Sequence, residues 1–146
     1  MAAEDNRRLV ESFWRDVYEA RDYDAVGRYF AEHGRYEDVP MPGTGAEGPA
    51  AVAKRLRIGH EPVERFEHEI VRIVAEGDTV ITEHAETWCF HTGERVRLPF
   101  VSVQVIERGK IVLWRDYSDF NTLMSGVPKW WLEHVSKFSV ADFAKP

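Results

Sequence analysis

Thr79-Val80-Ile81-Thr82-Glu83-His84-Ala85-Glu86-Thr87-Trp88-Cys89-Phe90 is the stretch on which the fold turns. It reads as a strand, and a short loop with one glycine bounds it on each side: Glu76-Gly77-Asp78 before, His91-Thr92-Gly93-Glu94 after. Such loops are hairpin connections. The same grammar continues outward. Arg65–Ala75 precedes the first loop, Arg95–Ile106 follows the second, and Glu107-Arg108-Gly109-Lys110 leads into a last run, Ile111–Ser118. Four strands joined by hairpin-length turns predict an antiparallel meander.

The first half of the chain reads differently. Leu9, Val10, Phe13, Trp14 and Val17 recur at helical spacing, with Arg7, Arg8, Glu11, Arg15 and Asp16 opposite, and Asp5 or Asn6 is placed to cap. A second helix is expected over Tyr23–Ala31. A short extended run, Arg35–Asp38, then breaks into a Pro/Gly loop, and Pro49 opens a third helix to about Gly59. A final helix is expected at about 127–138. The fold class is therefore α+β, with three N-terminal helices and a C-terminal helix packed on one face of a curved antiparallel sheet. The chain is read as one domain, 1–146, with its core at about 5–120.

Composition narrows the function. The net charge of −6 over 146 residues argues against nucleic acid as a partner, and Lys54-Arg55-Leu56-Arg57 reads as a solvated helix face. Cys89 is the single cysteine, so no intrachain disulfide is expected and a reducing compartment fits. The polar start, Met1–Arg8, is unlike a signal peptide, and no apolar run approaches the ~20 residues of a membrane helix. The expected location is the cytoplasm, with no membrane partner. Neither zinc spacing nor a Gly-rich phosphate loop is present, so no metal and no cofactor are expected.

Alternation along strands decides which side chains share the hollow under the sheet. One face of the Thr79–Phe90 run carries Val80, Thr82, His84, Glu86 and Trp88, and Cys89 falls on the other. On the last run one face carries Val112, Trp114, Asp116 and Ser118, the other Ile111, Leu113, Arg115 and Tyr117. Both are similarly apolar, so parity leaves the inward face of this run open. With Trp114 and Asp116 inward, the hollow holds Asp116, His84 and Glu86, joined by Tyr36 and Asp38 from the early short strand. Three carboxyls and an imidazole in a partly dry space cannot all stay ionised. Such a set supplies a base and an acid together. Trp14, Trp88, Trp114, Phe100 and Ser118 are expected to wall the substrate pocket.

Tyr36-Glu37-Asp38-Val39-Pro40-Met41-Pro42, Thr82-Glu83-His84-Ala85-Glu86 and Gly109-Lys110-Ile111-Val112-Leu113-Trp114-Arg115-Asp116-Tyr117-Ser118-Asp119, in this order of elements, resemble the limonene-1,2-epoxide hydrolase family. That family has the nuclear-transport-factor-2-like cone fold, shared with ketosteroid isomerases and polyketide cyclases. The likeness runs from about Arg8 to Phe120, and it favours Trp114 and Asp116 as the inward face. It implies one-step epoxide hydrolysis on a small hydrophobic substrate, with Asp116 as the base for water and Tyr36 beside it. Asp38 stands where the family has Asn, His84 where it has the bridging Arg, and Glu86 where it has the acid Asp. Asp38 removes a donor to the water and adds charge. His84 keeps two nitrogens with which to bridge the carboxyls, and Glu86 keeps a proton donor with one methylene more of reach. A homodimer is expected by the same analogy.

Two rival functions attach to the same residues. Asp38 matches the base of a ketosteroid isomerase, but Trp14 and Val101 stand where that enzyme needs oxyanion donors. Asp38 with His84 would suit a dehydratase. A module that binds a hydrophobic ligand or dimerises, without catalysis, is the third.

Overall fold

The computed structural model describes residues 2–138. Helix α1 (Ala2–Phe13) runs on without a break into a π turn, Trp14–Glu19. It begins earlier than expected, so Asp5 and Asn6 lie inside it rather than capping it; the Asn6 amide instead donates to the Gly77 carbonyl across the first hairpin at 3.1 Å. The helix expected over Tyr23–Ala31 is shorter: a 3-10 turn (Tyr23–Ala25) and a single α turn, α2 (Val26–Tyr29), end where β1 (Phe30–Asp38) starts. Then come β2 (Ala46–Glu47) and α3 (Pro49–His60), with Pro49 at its first position.

The meander is present as β3 (Arg65–Glu76), β4 (Thr79–Cys89), β6 (Phe100–Glu107) and β7 (Lys110–Ser118). The run expected as one strand from Arg95 is split, with β5 (Arg95–Arg97) ending before Leu98 and Pro99. The turn glycines Gly77, Gly93 and Gly109 all have positive φ, which L side chains rarely adopt. The sheet order is β2-β1-β7-β6-β4-β3, with β5 on β4. One pairing departs from the antiparallel expectation, since β1 lies parallel to β7. Gly34 permits that approach, because a Cβ there would sit 2.6 Å from the Ile111 carbonyl oxygen.

A helix that was not expected, α4 (Phe120–Gly126), capped by Asp119, precedes the helix expected at about 127–138, which is present as α5 (Lys129–Val135). Pro128 separates them. The main core packs α1 and α3 onto the sheet through Phe13, Trp14, Val52, Leu56, Ile111 and Trp114, all essentially unexposed. A second cluster fastens α4 and α5 to the other end of the sheet around Trp88, Leu98, Leu123 and Trp131. No helix among the described residues is long and apolar enough to cross a membrane.

Candidate functional site

Strand register builds the site. Asp38 on β1 sits beside Asp116 on β7, Asp116 beside Ser102 on β6, and Ser102 beside Thr82 on β4. This row crosses the sheet on its helix-covered face, where His84, Glu86 and Trp88 continue along β4. That places Trp114 and Asp116 inward, the choice that parity left open. The cavity lies between the two apolar clusters and is lined by Tyr18, Tyr36, Asp38, Arg55, Glu86 and Asp116, with Trp88, Phe100 and Trp131 among its apolar walls. It offers ≈ 60 Å³ to the centres of water-sized groups, room for several waters or a small organic molecule beside one water.

Asp116 is held from three sides. Ser102 Oγ donates to Oδ1 at 2.5 Å, the Trp114 indole to the same oxygen at 2.6 Å, and the Tyr36 hydroxyl to Oδ2 at 3.2 Å. Burial nevertheless dominates and, with the nearby Asp38, lifts its pKa to about 7; the three hydrogen bonds pull the other way. Glu86 is 2% exposed. Tyr18 Oη donates to its Oε1 at 2.5 Å and the Trp88 indole to its Oε2 at 2.8 Å. Burial raises the Glu86 pKa to about 8 against both bonds, helped by Asp116. At neutral pH Glu86 therefore keeps its proton while Asp116 is poised to gain or lose one. Two buried carboxyls with raised pKa values on one cavity are a set that acid–base chemistry can use. Asp38 is also raised by burial, while Arg55 restrains the shift through a 3.3 Å ion pair.

The other expected residues divide. Tyr36 is buried and its phenol is pushed well above the ordinary range, chiefly by burial. Trp88, Phe100 and Ser118 line the cavity. Trp14 and Trp114 do not; both are unexposed core side chains packed edge to face at 5.5 Å, because the helix and sheet close on them. His84 does not bridge the two carboxyls. It is 1% exposed, with Nε2 turned to Ser102 at 3.1 Å and Nδ1 to His68 at 2.8 Å, one layer behind the cavity. Burial lowers its pKa to about 3, so it is neutral and carries no charge for the site. The Asp38–His84 pair of a dehydratase is not assembled, since Asp38 faces the cavity against Arg55. Cys89 is buried outside the cavity lining. Among the described residues no group of three or more His, Cys, Asp or Glu is placed to hold a metal ion.

Several site residues escaped the sequence reading. Tyr18 continues the apolar stripe of α1 but reaches the cavity through the π turn, seen in the Ala20 amide donating to the Arg15 carbonyl at 3.0 Å. Arg55, read as part of a solvated face, is buried; besides Asp38 it donates from Nε to the Thr44 carbonyl at 2.9 Å. His60 lines the cavity, and burial holds it neutral with a pKa of about 3. Ser102 and His68 would have followed from applying alternation to β6 and β3. Of the two adjacent tryptophans on α5, Trp131 lines the cavity and donates to the Gly59 carbonyl, while Trp130 reaches Thr92.

Comparison with known proteins agrees with this architecture. The model of the SnoaL-like domain matches residues 10–114. The Mycobacterium tuberculosis (strain H37Rv) protein named epoxide hydrolase EphG is 30% identical over 121 residues, covering 81% of this chain and 76% of its own length. A solved structure of an M. tuberculosis LEH-like epoxide hydrolase superposes with a TM-score of 0.70 at 30% identity, over 85% of this chain and 92% of that one. A putative SnoaL-like polyketide cyclase from Jannaschia sp. CCS1 gives a TM-score of 0.75 at 20% identity, over 86% and 93%, which speaks to the fold alone.

Proposed function

The chain belongs to the SnoaL-like domain family of nuclear-transport-factor-2-like proteins, and from that premise we propose that it hydrolyses small hydrophobic epoxides without a cofactor. The observation that carries this reading is geometric: two buried, hydrogen-bonded carboxyls, Asp116 and Glu86, line one cavity with apolar walls, and burial raises the pKa of both. The 30% identity to a protein named as an epoxide hydrolase supports it.

In this reading a water lies against Asp116, with Tyr36 steadying the carboxylate and Asp38, anchored by Arg55, accepting the second hydrogen. Asp116 takes a proton from the water as its oxygen attacks one epoxide carbon. The carbon–oxygen bond breaks, and the released electron pair on the ring oxygen takes the proton of Glu86. The product is a diol, with Asp116 protonated and Glu86 ionised. Trp88, Phe100 and Trp131 hold the hydrocarbon part and limit its size, and Ser118 lies beside it. His84 acts from behind, through Ser102.

The test is a panel of cyclic and aliphatic epoxides read for diol. We expect turnover that Asp116→Asn lowers by at least ~10²-fold, the low end for a lost general base. Unchanged turnover in that variant refutes the assignment.

One observation favours a second reading. A protonated Glu86, held by the Tyr18 hydroxyl, gives the cavity a donor that isomerase chemistry needs and that Trp14 and Val101 do not supply, with Asp38 available as base. The Arg55 ion pair, which engages Asp38, weighs against it. Proton exchange into a β,γ-unsaturated ketone, abolished in Asp38→Asn, would shift the choice.

We also read the outer face of the sheet, where Val71, Val74, Ile81 and Tyr117 are exposed, as the surface on which two copies pair. A monomer mass by light scattering at micromolar concentration would overturn that.

A further inference from the structure

A line of hydrogen bonds leaves the cavity through its back wall. Asp116 Oδ1 meets Ser102 Oγ at 2.5 Å, Ser102 Oγ meets His84 Nε2 at 3.1 Å, His84 Nδ1 meets His68 Nε2 at 2.8 Å, and His68 Nδ1 meets Glu19 at 3.1 Å. The His68 side chain is 3% exposed and that of Glu19 46%, so the line runs from the cavity to solvent. Phe100 stacks on the His84 ring at 3.9 Å and Trp14 presses it edge-on at 4.4 Å. These rings leave the imidazole as the connection between the two sides.

We infer that Ser102, His84, His68 and Glu19 form a proton relay between Asp116 and solvent. The line has two arrangements that differ by one proton, and both imidazoles are neutral in each, as their burial favours. With Asp116 protonated, its carboxyl donates to Ser102, Ser102 donates to His84 Nε2, His84 Nδ1–H donates to His68 Nε2, and His68 Nδ1–H donates to Glu19. When Asp116 ionises, its proton passes to Ser102, that of Ser102 to His84 Nε2, that on His84 Nδ1 to His68 Nε2, and that on His68 Nδ1 through Glu19 to solvent. Ser102 then donates to the Asp116 carboxylate, His84 Nε2–H to Ser102, and His68 Nε2–H to His84. Nothing but hydrogen moves, and one proton has left the protein at Glu19. The low proton affinity of His84 keeps the proton at either end of the line. Run in this direction, the relay returns Asp116 to carboxylate without opening the cavity. That use rests on Asp116 being the base; the relay itself does not.

The other titratable groups facing Asp116 are Asp38 and Tyr36 from β1, Glu86 from β4 and Tyr18 from the π turn, all on the cavity side. The test therefore reads the back side directly and needs no substrate. In protein labelled with ¹⁵N-histidine, two-bond ¹H–¹⁵N correlations report each ring's tautomer, and ¹³C shifts report the Asp116 carboxyl. As pH rises through the Asp116 transition, His84 should switch from Nδ1–H to Nε2–H with the same midpoint. In Ser102→Ala, Asp116 should still titrate while His84 no longer follows, and in Asp116→Asn His84 should keep one tautomer. A wild-type His84 that holds a single tautomer throughout, or a switch that survives in Ser102→Ala, overturns the relay. Because no epoxide is present, a failed hydrolase reading leaves this result unaffected.

Discussion

Replacing Glu86 with Gln should stabilise the protein increasingly as the pH rises from about 4.5 to about 8. The carboxyl moves from an ordinary pKa of 4.5 to about 8 in the fold. Because the folded value is the higher one, the native state holds a proton that the unfolded chain has released. Its stabilising contribution is complete below 4.5 and drains away as pH rises through about 8. Between about pH 4.5 and 8 the slope is about 1.4 kcal/mol per unit, so Glu86 alone removes about 3 kcal/mol between pH 6 and pH 9. Screening by cavity water trims this to roughly 2–3 kcal/mol. Gln accepts from Trp88 and donates to Tyr18, so both neighbours keep a partner. Urea unfolding followed by tryptophan fluorescence at pH 6, 7, 8 and 9 measures the difference. The variant's advantage should grow by about 1.4 kcal/mol per unit from pH 6 to 8, level off by pH 9 and, relative to pH 6, correspond to ~5–10 °C in melting temperature. A stability difference between the two proteins that is constant across this range would refute the reasoning, because it would mean that Glu86 ionises in the fold as freely as in the unfolded chain.

Other outcomes follow from the same interior. The Tyr18 hydroxyl lowers the Glu86 pKa, so Tyr18→Phe should raise it, keeping Glu86 protonated to higher pH in a ¹³C titration; a downward shift would contradict the hydrogen-bond assignment. Gln104 is unexposed, and neither its amide nitrogen nor its oxygen has a partner among the described residues. Gln104→Met should therefore raise stability by about 1–3 kcal/mol in urea unfolding, the cost of an unmet buried polar group; a loss of that size would show that the amide is satisfied in solution.

The sequence carried the meander plainly, because each hairpin turn places one glycine where positive φ is needed. It also carried the face shared by His84 and Glu86, since alternation on β4 is unbroken. The inward face of β7 was different. Its two faces are equally apolar, and what decides between them is the parallel pairing with β1, which aligns Asp38 with Asp116. Nothing local to either strand encodes that pairing. Arg55 looked solvated because its neighbours are charged; it is buried because Asp38 and the Thr44 carbonyl meet it. His84 was expected between two carboxyls, and its true partners, Ser102 and His68, lie on two different strands. The last helix begins just after Pro128, a residue that starts a helix more readily than it continues one.

The parallel seam between β1 and β7 also governs when the site comes into existence. Tyr36 and Asp116 are 80 residues apart in sequence, and contacts this distant are slow to form because a long loop must close first. On a translating ribosome, β1 emerges early with its main-chain edge open and waits for nearly the whole remaining chain before its partner appears. During that interval the apolar side of α1 and α3 has an incomplete sheet to cover it, and it is then that nascent chains are most exposed to mispairing with one another. The cavity is therefore complete only once this long-range seam has closed.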